Sequence, residues 1–254
     1  SSYDGVADLV GLVIDEAYKL LADESNPNVY TKSINTEIDQ LLDEIKYQTD
    51  SKTSWWEVTD ALFEAGHLRE ASLAQRNAVP LINDLTSIAR SAAVVDLYGK
   101  ITVSTGENLI DAFVRMISSA VREYPVLSRY TQFDLGESKI IAFDLDEVAK
   151  SGGEAADRQT AVMYMLARYL IAKDFYLNKE AVASLPENYR LHHEARAAEL
   201  KEDQKRIVFD EFHRTAKAQA VRDQVIVDMR EGRKWRVQVC VISQDLADFD
   251  DQIV

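Results

Sequence analysis

The 254-residue chain is 46% hydrophobic and 28% charged with only four prolines, which excludes disorder and collagen-like repeats and fits one large domain or two small ones. Nine glycines fall well below an average usage of about 7% and argue against a chain of tight turns and glycine-cradled ligands. Forty-three acidic residues against 29 basic give a net charge of -14, which argues against a surface built mainly to grip phosphate backbones, and direct nucleic-acid binding is not expected.

From residue 8 to about 116 apolar residues recur at three- and four-residue steps with few breakers, predicting helices throughout. Leu9, Leu12, Val13, Ala17, Leu20 and Leu21 form a first stripe, closed by the polar run 23–28 with Pro27. Ile34, Ile38, Leu41, Leu42 and Ile45 form a second, entered through Ser33. A third starts near Ser54, where Thr53 or Ser54 can cap and Trp55, Val58, Leu62 and Phe63 face inward. Residues 68–78 and 80–97 follow, the latter with Pro80 at a first-turn position. Gly99 to Val103 is β-rich but short, and Thr105-Gly106-Glu107 opens a helix carrying Leu109, Ile110, Phe113, Val114 and Ile117. Residues 1–125 therefore read as an all-helical subdomain.

The character changes after Pro125. Residues 130–135 and 139–145 alternate or run apolar in short bursts around Gly136-Glu137, a strand-turn-strand pattern. Residues 157–175 make a strongly apolar helix and 187–204 a polar, exposed one. Then 206–209 reads as a buried strand, 215–229 as a helix and 236–243 as a second buried strand. Strand, crossover helix and strand make a parallel βαβ unit, so residues 126–254 are α/β with a mostly parallel sheet.

Ile207-Val208-Phe209 leads directly to Asp210-Glu211, which puts two carboxylates at the carboxyl end of a parallel strand, where open α/β sheets bind ligands. In P-loop nucleoside triphosphatases the aspartate at this place holds magnesium through water, and the glutamate orients and deprotonates the attacking water. The competing reading is an ordinary strand end whose acids cap the next helix. The second strand ends in Ser243-Gln244, whose amide can both donate and accept at the same edge. Between the strands, Arg230, Arg233, Lys234 and Arg236 cluster at the far end of the crossover helix. An arginine there could reach a neighbour's nucleotide in a ring, or simply satisfy the helix dipole. Residues 201–236 hold ten bases and seven acids, +3, so basic charge is focused near these carboxylates.

No phosphate-cradling loop of the form G-x-x-x-x-G-K-[ST] occurs. Gly99 is the only glycine followed by lysine, and Ile101 and Val94 occupy the other required positions. Gly152-Gly153 is a plausible loop but no dinucleotide fingerprint. The single cysteine, Cys240, excludes an internal disulfide and reads as a small buried hydrophobe in a reducing compartment. His192-His193-Glu194 lacks zinc-ligand spacing, and Asp245, Asp248, Asp250 and Asp251 read as a solvated helix start. No run approaches the ~20 apolar residues that span a bilayer, and no signal region opens the chain, which predicts a cytoplasmic protein. The chain opens on Ser1-Ser2-Tyr3 and stops on Gln252-Ile253-Val254 directly after a strand-like run, as expected of a piece of something longer.

Three segments carry a family resemblance: Arg206 to Arg214 (RIVFDEFHR), Val239 to Phe249 (VCVISQDLADF), and Lys139 to Lys150 (KIIAFDLDEVAK) with Asp157-Arg158-Gln159-Thr160-Ala161. They resemble the ATPase domain of type IV secretion and conjugation machines, in particular the IcmB/DotO and TraU branch, relatives of the VirB-type assembly ATPases within the ring-forming HerA and FtsK-like group. The resemblance spans about Tyr130 to Phe249. It implies a partial RecA-like P-loop core with an all-helical insertion, ATP and Mg2+ as cofactors, a hexameric ring, and a place at the periphery of the bacterial inner membrane beside other secretion subunits. It implies Asp210 as the magnesium-water ligand, Glu211 as catalytic base, Gln244 as γ-phosphate sensor, and Arg233, or secondarily Arg230, as the arginine finger. The missing P-loop departs from the family and puts hydrolysis by this segment alone in doubt. The alternative is a helical scaffold or adaptor with a structural α/β portion.

Overall fold

A computed structural model of the chain describes residues 5–22, 28–131, 134–135, 138–148, 152–215, 218–244 and 246–249. The polar run at 23–27, the turn at 136–137 and Asp245, Asp250 and Asp251 lie outside the described residues. The chain is mostly helical with a small two-stranded parallel sheet, and it divides into two compact units, Ser1–Gly136 and Glu137–Val254.

The first unit holds α1 (Val6–Ala22), α2 (Thr36–Glu44), α3 (Trp55–Glu64), α4 (Leu68–Gln75), α5 (Leu85–Ile88), α6 (Ala92–Tyr98) and α7 (Leu109–Glu123). Two apolar clusters organise it. Leu9, Val13 and Ala17 of α1 meet Leu85, Val94, Ile110 and Phe113, while Ile38, Leu42, Val58, Leu62 and Ala71 of α2 to α4 close around Trp55. The third helix begins where its capping chemistry dictates. Ser54 accepts the Glu57 N–H at 3.1 Å and Glu57 accepts the Ser54 N–H at 2.7 Å, satisfying two otherwise orphaned donors.

The helix expected over 80–97 is split. Arg90 and Ser91 donate to carbonyls three residues back, and Ser91 is extended, so the chain turns between α5 and α6. That turn lets Leu85, Ala89 and Val94 all reach one cluster, which a straight helix would not allow. The helix expected from Thr105 begins instead at the Asn108 cap, whose side chain accepts the Ile110 N–H at 2.9 Å and donates to the Gly99 carbonyl at 2.7 Å.

The second unit runs α8 (Glu154–Ala172), α9 (Lys179–Ala183), α10 (Glu187–Glu202), β1 (Lys205–Phe209), α11 (Gln219–Gly232) and β2 (Val237–Val241). β1 and β2 pair in parallel, Lys205 opposite Val237 through Phe209 opposite Val241, with α11 as the crossover. Ile207, Phe209 and Val237 pack with Val221, Val225 and Ile226 of α11 and Tyr164 and Ala172 of α8. Alternate residues of a strand point to opposite faces, and the core takes only one of them. Val208 is accordingly 51% exposed and Cys240 half-buried, so both strands are half-covered rather than fully buried. The strand expected over 139–145 is irregular backbone with Ile140 91% exposed: among the described residues the sheet has two strands, and an apolar run without a ladder partner gains nothing from extension.

A buried ion pair braces α8 against α11. Asp228, 1% exposed, accepts Arg168 Nε at 2.8 Å and a second, closer Arg168 Nη2 bond, with Tyr176 OH and Gln224 Nε2 each at 3.2 Å. The Arg168 guanidinium also lies 5.5 Å from the Tyr176 ring centre.

Candidate functional site

The site forms where the parallel strands end. Beyond β1 and β2 the chains stay zipped: the Ile242 N–H donates to the Phe209 carbonyl, and the Phe212 N–H to the Ile242 carbonyl, both at 2.9 Å. Phe212 is fully buried, which fixes exposed Asp210 and half-buried Glu211 as a kink at the sheet edge. Glu211 adopts the left-handed region, φ +52°. A residue with a Cβ is strained there, and such strain persists only where the surroundings impose it. The Asp210 side chain accepts the Glu211 N–H at 2.9 Å and holds the kink.

Gln244 follows β2 and crosses to its neighbour, donating from Nε2 to Glu211 Oε1 at 2.9 Å. The other carboxylate oxygen, Oε2, lies 3.4 Å from His213 Nε2 and 3.9 Å from Arg214 Nε. Arg214 in turn meets Asp146 at 2.5 Å. Beneath them Tyr164 of α8 is buried; burial first of all pushes its phenol above the ordinary value, Arg214 works against that rise, and Asp146, Glu211 and Asp210 add to it. Arg222 of α11 stacks 5.2 Å from the Phe212 ring centre and donates to the Asp248 carbonyl at 2.9 Å, and Ser243 bonds the Asp248 carboxylate, so the turn after Gln244 is tied to the same core.

Asp210, Glu211 and Gln244 thus occupy one edge of one parallel sheet, and Glu211 and Gln244 touch. Arg230 and Arg233 are elsewhere. They are exposed at the carboxyl end of α11 and in the turn after it, which precedes the start of β2. A five-residue strand, about 16 Å, separates that end of the sheet from the acids. Neither Asp210 nor Glu211 caps α11. That helix starts at Gln219, and its cap position, Ala218, offers no side-chain bond.

Asp146, Arg214 and Tyr164 were given no role by sequence. Asp146 and Arg214 lie inside the KIIAFDLDEVAK and RIVFDEFHR segments, but nothing in their spacing, 68 residues apart, announces a contact. Among the described residues no group of three or more His, Cys, Asp or Glu could cage a metal. The donor set of Asp210 suits a different arrangement, since magnesium on a nucleotide keeps most of its waters and needs only one or two carboxylates beside the phosphates. No helix of the described residues is long and apolar enough to cross a membrane. No protein-family model, curated protein or solved structure matches the chain.

Proposed function

We propose that this chain is part of an ATPase that energises type IV secretion or conjugative transfer, comprising the helical insertion and a portion of a RecA-like core with its Walker B acids. One observation carries the reading beyond the motif resemblance. Glu211, held in a left-handed backbone at the carboxyl edge of a parallel strand, receives the amide of Gln244 from the neighbouring strand. Acids that served only to cap the crossover helix would need none of this. Their separation from the start of α11 weighs against the scaffold alternative.

Magnesium-bound ATP would bring an electrophilic γ-phosphorus and neutralise developing charge. Asp210 would hold the metal's water shell by accepting hydrogen bonds. Glu211 would orient a water in line with the γ-phosphorus and take its proton on a carboxylate oxygen. Gln244 would turn its Nε2 donor from Glu211 to a γ-phosphate oxygen, which frees the base as the ligand arrives. Arg233, at the far edge of the sheet, suits a role in trans at the neighbouring subunit of a hexameric ring docked on inner-membrane secretion subunits.

The phosphates themselves require a G-x-x-x-x-G-K-[ST] loop, which these 254 residues do not contain. Reading the source gene upstream tests that requirement: a P-loop within a few hundred residues supports the assignment, and its absence ends it.

A further inference from the structure

Arg214 stands three residues beyond Glu211, in the 3₁₀ turn Phe212–Thr215, and its backbone N–H donates to the Glu211 carbonyl at 3.0 Å. Its guanidinium faces two acids. Nη1 meets Asp146 Oδ1 at 2.5 Å, a charge-assisted hydrogen bond, while Nε lies 3.9 Å from Glu211 Oε2. Asp146 and Arg214 are both substantially exposed, and exposed pairs of this kind contribute little to stability. The geometry, though, ties a distant loop to the one carboxylate whose direction matters.

We propose that Arg214 is a positioning residue for Glu211 and that Asp146 is its anchor. This rests on the reading of Glu211 as the base. The left-handed backbone of Glu211 fixes the direction of its Cα–Cβ bond, but one hydrogen bond to a single carboxylate oxygen still lets the side chain swing about that contact. Gln244 holds Oε1. Oε2 faces the Arg214 guanidinium, with Nε 3.9 Å away, and the His213 ring, with Nε2 3.4 Å away. When Gln244 turns to a γ-phosphate, the Arg214 cation is what still draws the carboxylate to its place. A long arginine in solvent would be a poor brace, and the Asp146 contact narrows the range of directions it samples.

The test is steady-state Mg-ATP hydrolysis by the full-length protein carrying Arg214→Ala, Arg214→Lys or Asp146→Asn, with Glu211→Gln as reference. A misplacement of about 1 Å costs on the order of 100-fold, so Arg214→Ala should lower kcat about 10- to 100-fold while KM for ATP stays within about threefold. Arg214→Lys should recover part of the loss, and Asp146→Asn should fall between. Melting temperatures should stay close to that of the unaltered protein. A kcat within about twofold of the unaltered protein, or a loss carried by KM, would overturn the proposal. If the unaltered protein shows no hydrolysis that Glu211→Gln abolishes, the base assignment fails, and the brace is decided by a crystal structure of Arg214→Ala. There a Glu211 side chain whose Oε2 has swung away from its place beside residue 214 supports it, and a carboxylate left in its original orientation overturns it.

Discussion

Replacing Asp228 with alanine removes the acceptor for four donors at once: two from Arg168, one from Tyr176 and one from Gln224. The carboxylate is 1% exposed and the Arg168 side chain 17% exposed, so water cannot take its place without opening the α8–α11 packing. Exposed ion pairs cost less than about 1 kcal/mol to break; a buried pair with one partner removed costs about 3–5 kcal/mol, because the survivor keeps an uncompensated charge. The burial here selects the second figure. At about 2–4 °C per kcal/mol for a chain of this size, Asp228→Ala should melt about 6–20 °C lower by circular dichroism or calorimetry. Arg168→Met alone should cost a similar amount, while Asp228→Leu combined with Arg168→Met should recover most of it. A single-variant loss below about 1 kcal/mol, or strictly additive losses in the double variant, would refute the claim that this pair braces the two helices.

Gly232 ends α11 with no room for a side chain: a Cβ there would sit 2.7 Å from the Val237 carbonyl oxygen. Helix propensity alone favours alanine by about 1 kcal/mol, but the clash is with backbone, which cannot rotate away. Gly232→Ala should therefore destabilise by about 1–3 kcal/mol in denaturant unfolding, and a stabilised variant would contradict the close approach. Burial pushes the Tyr176 phenol up to about 12 and raises Tyr164, Tyr130 and Tyr47 as well. The fold thus favours the neutral phenol, so this stability is whole below the unfolded value near 10 and is lost as pH rises through about 12. Tyrosinate absorbance should titrate in at least two phases, and a single phase for all 11 tyrosines near their ordinary value would contradict it. In the full-length protein, Arg233→Ala should abolish ATP hydrolysis, and mixing with Glu211→Gln subunits should restore part of it. No rescue would remove Arg233 from the role of trans finger.

The βαβ unit was legible because its signals are local. Apolar runs ending in Asp210-Glu211 and Ser243-Gln244, with one amphipathic helix between, leave little choice of topology. The cap at Ser54 was legible for the same reason, since donor and acceptor are three residues apart. What the sequence hid depends on contacts far along the chain. The turn at Arg90-Ser91 exists so that Leu85 and Val94 can share a cluster with α1 and α7, and no dipeptide there announces it. The apolar run at 139–145 carries a strand's pattern but has no ladder partner among the described residues. Arg168 and Asp228 stand 60 residues apart in unremarkable helical stretches, and only the packing of α8 on α11 makes them a pair. At the site itself the acids and the glutamine could be read from strand ends. The left-handed turn at Glu211 could not, because glutamate gives no hint of it. The Asp146–Arg214 contact was equally hidden.

The proposal that Glu211 is the catalytic base, placed by the sheet edge and by Gln244, stands or falls on one experiment. That experiment is Mg-ATP turnover and nucleotide retention by the full-length protein carrying Glu211→Gln. A base at this position requires turnover to be abolished with ATP still bound; hydrolysis at the unaltered rate removes Glu211 from the role.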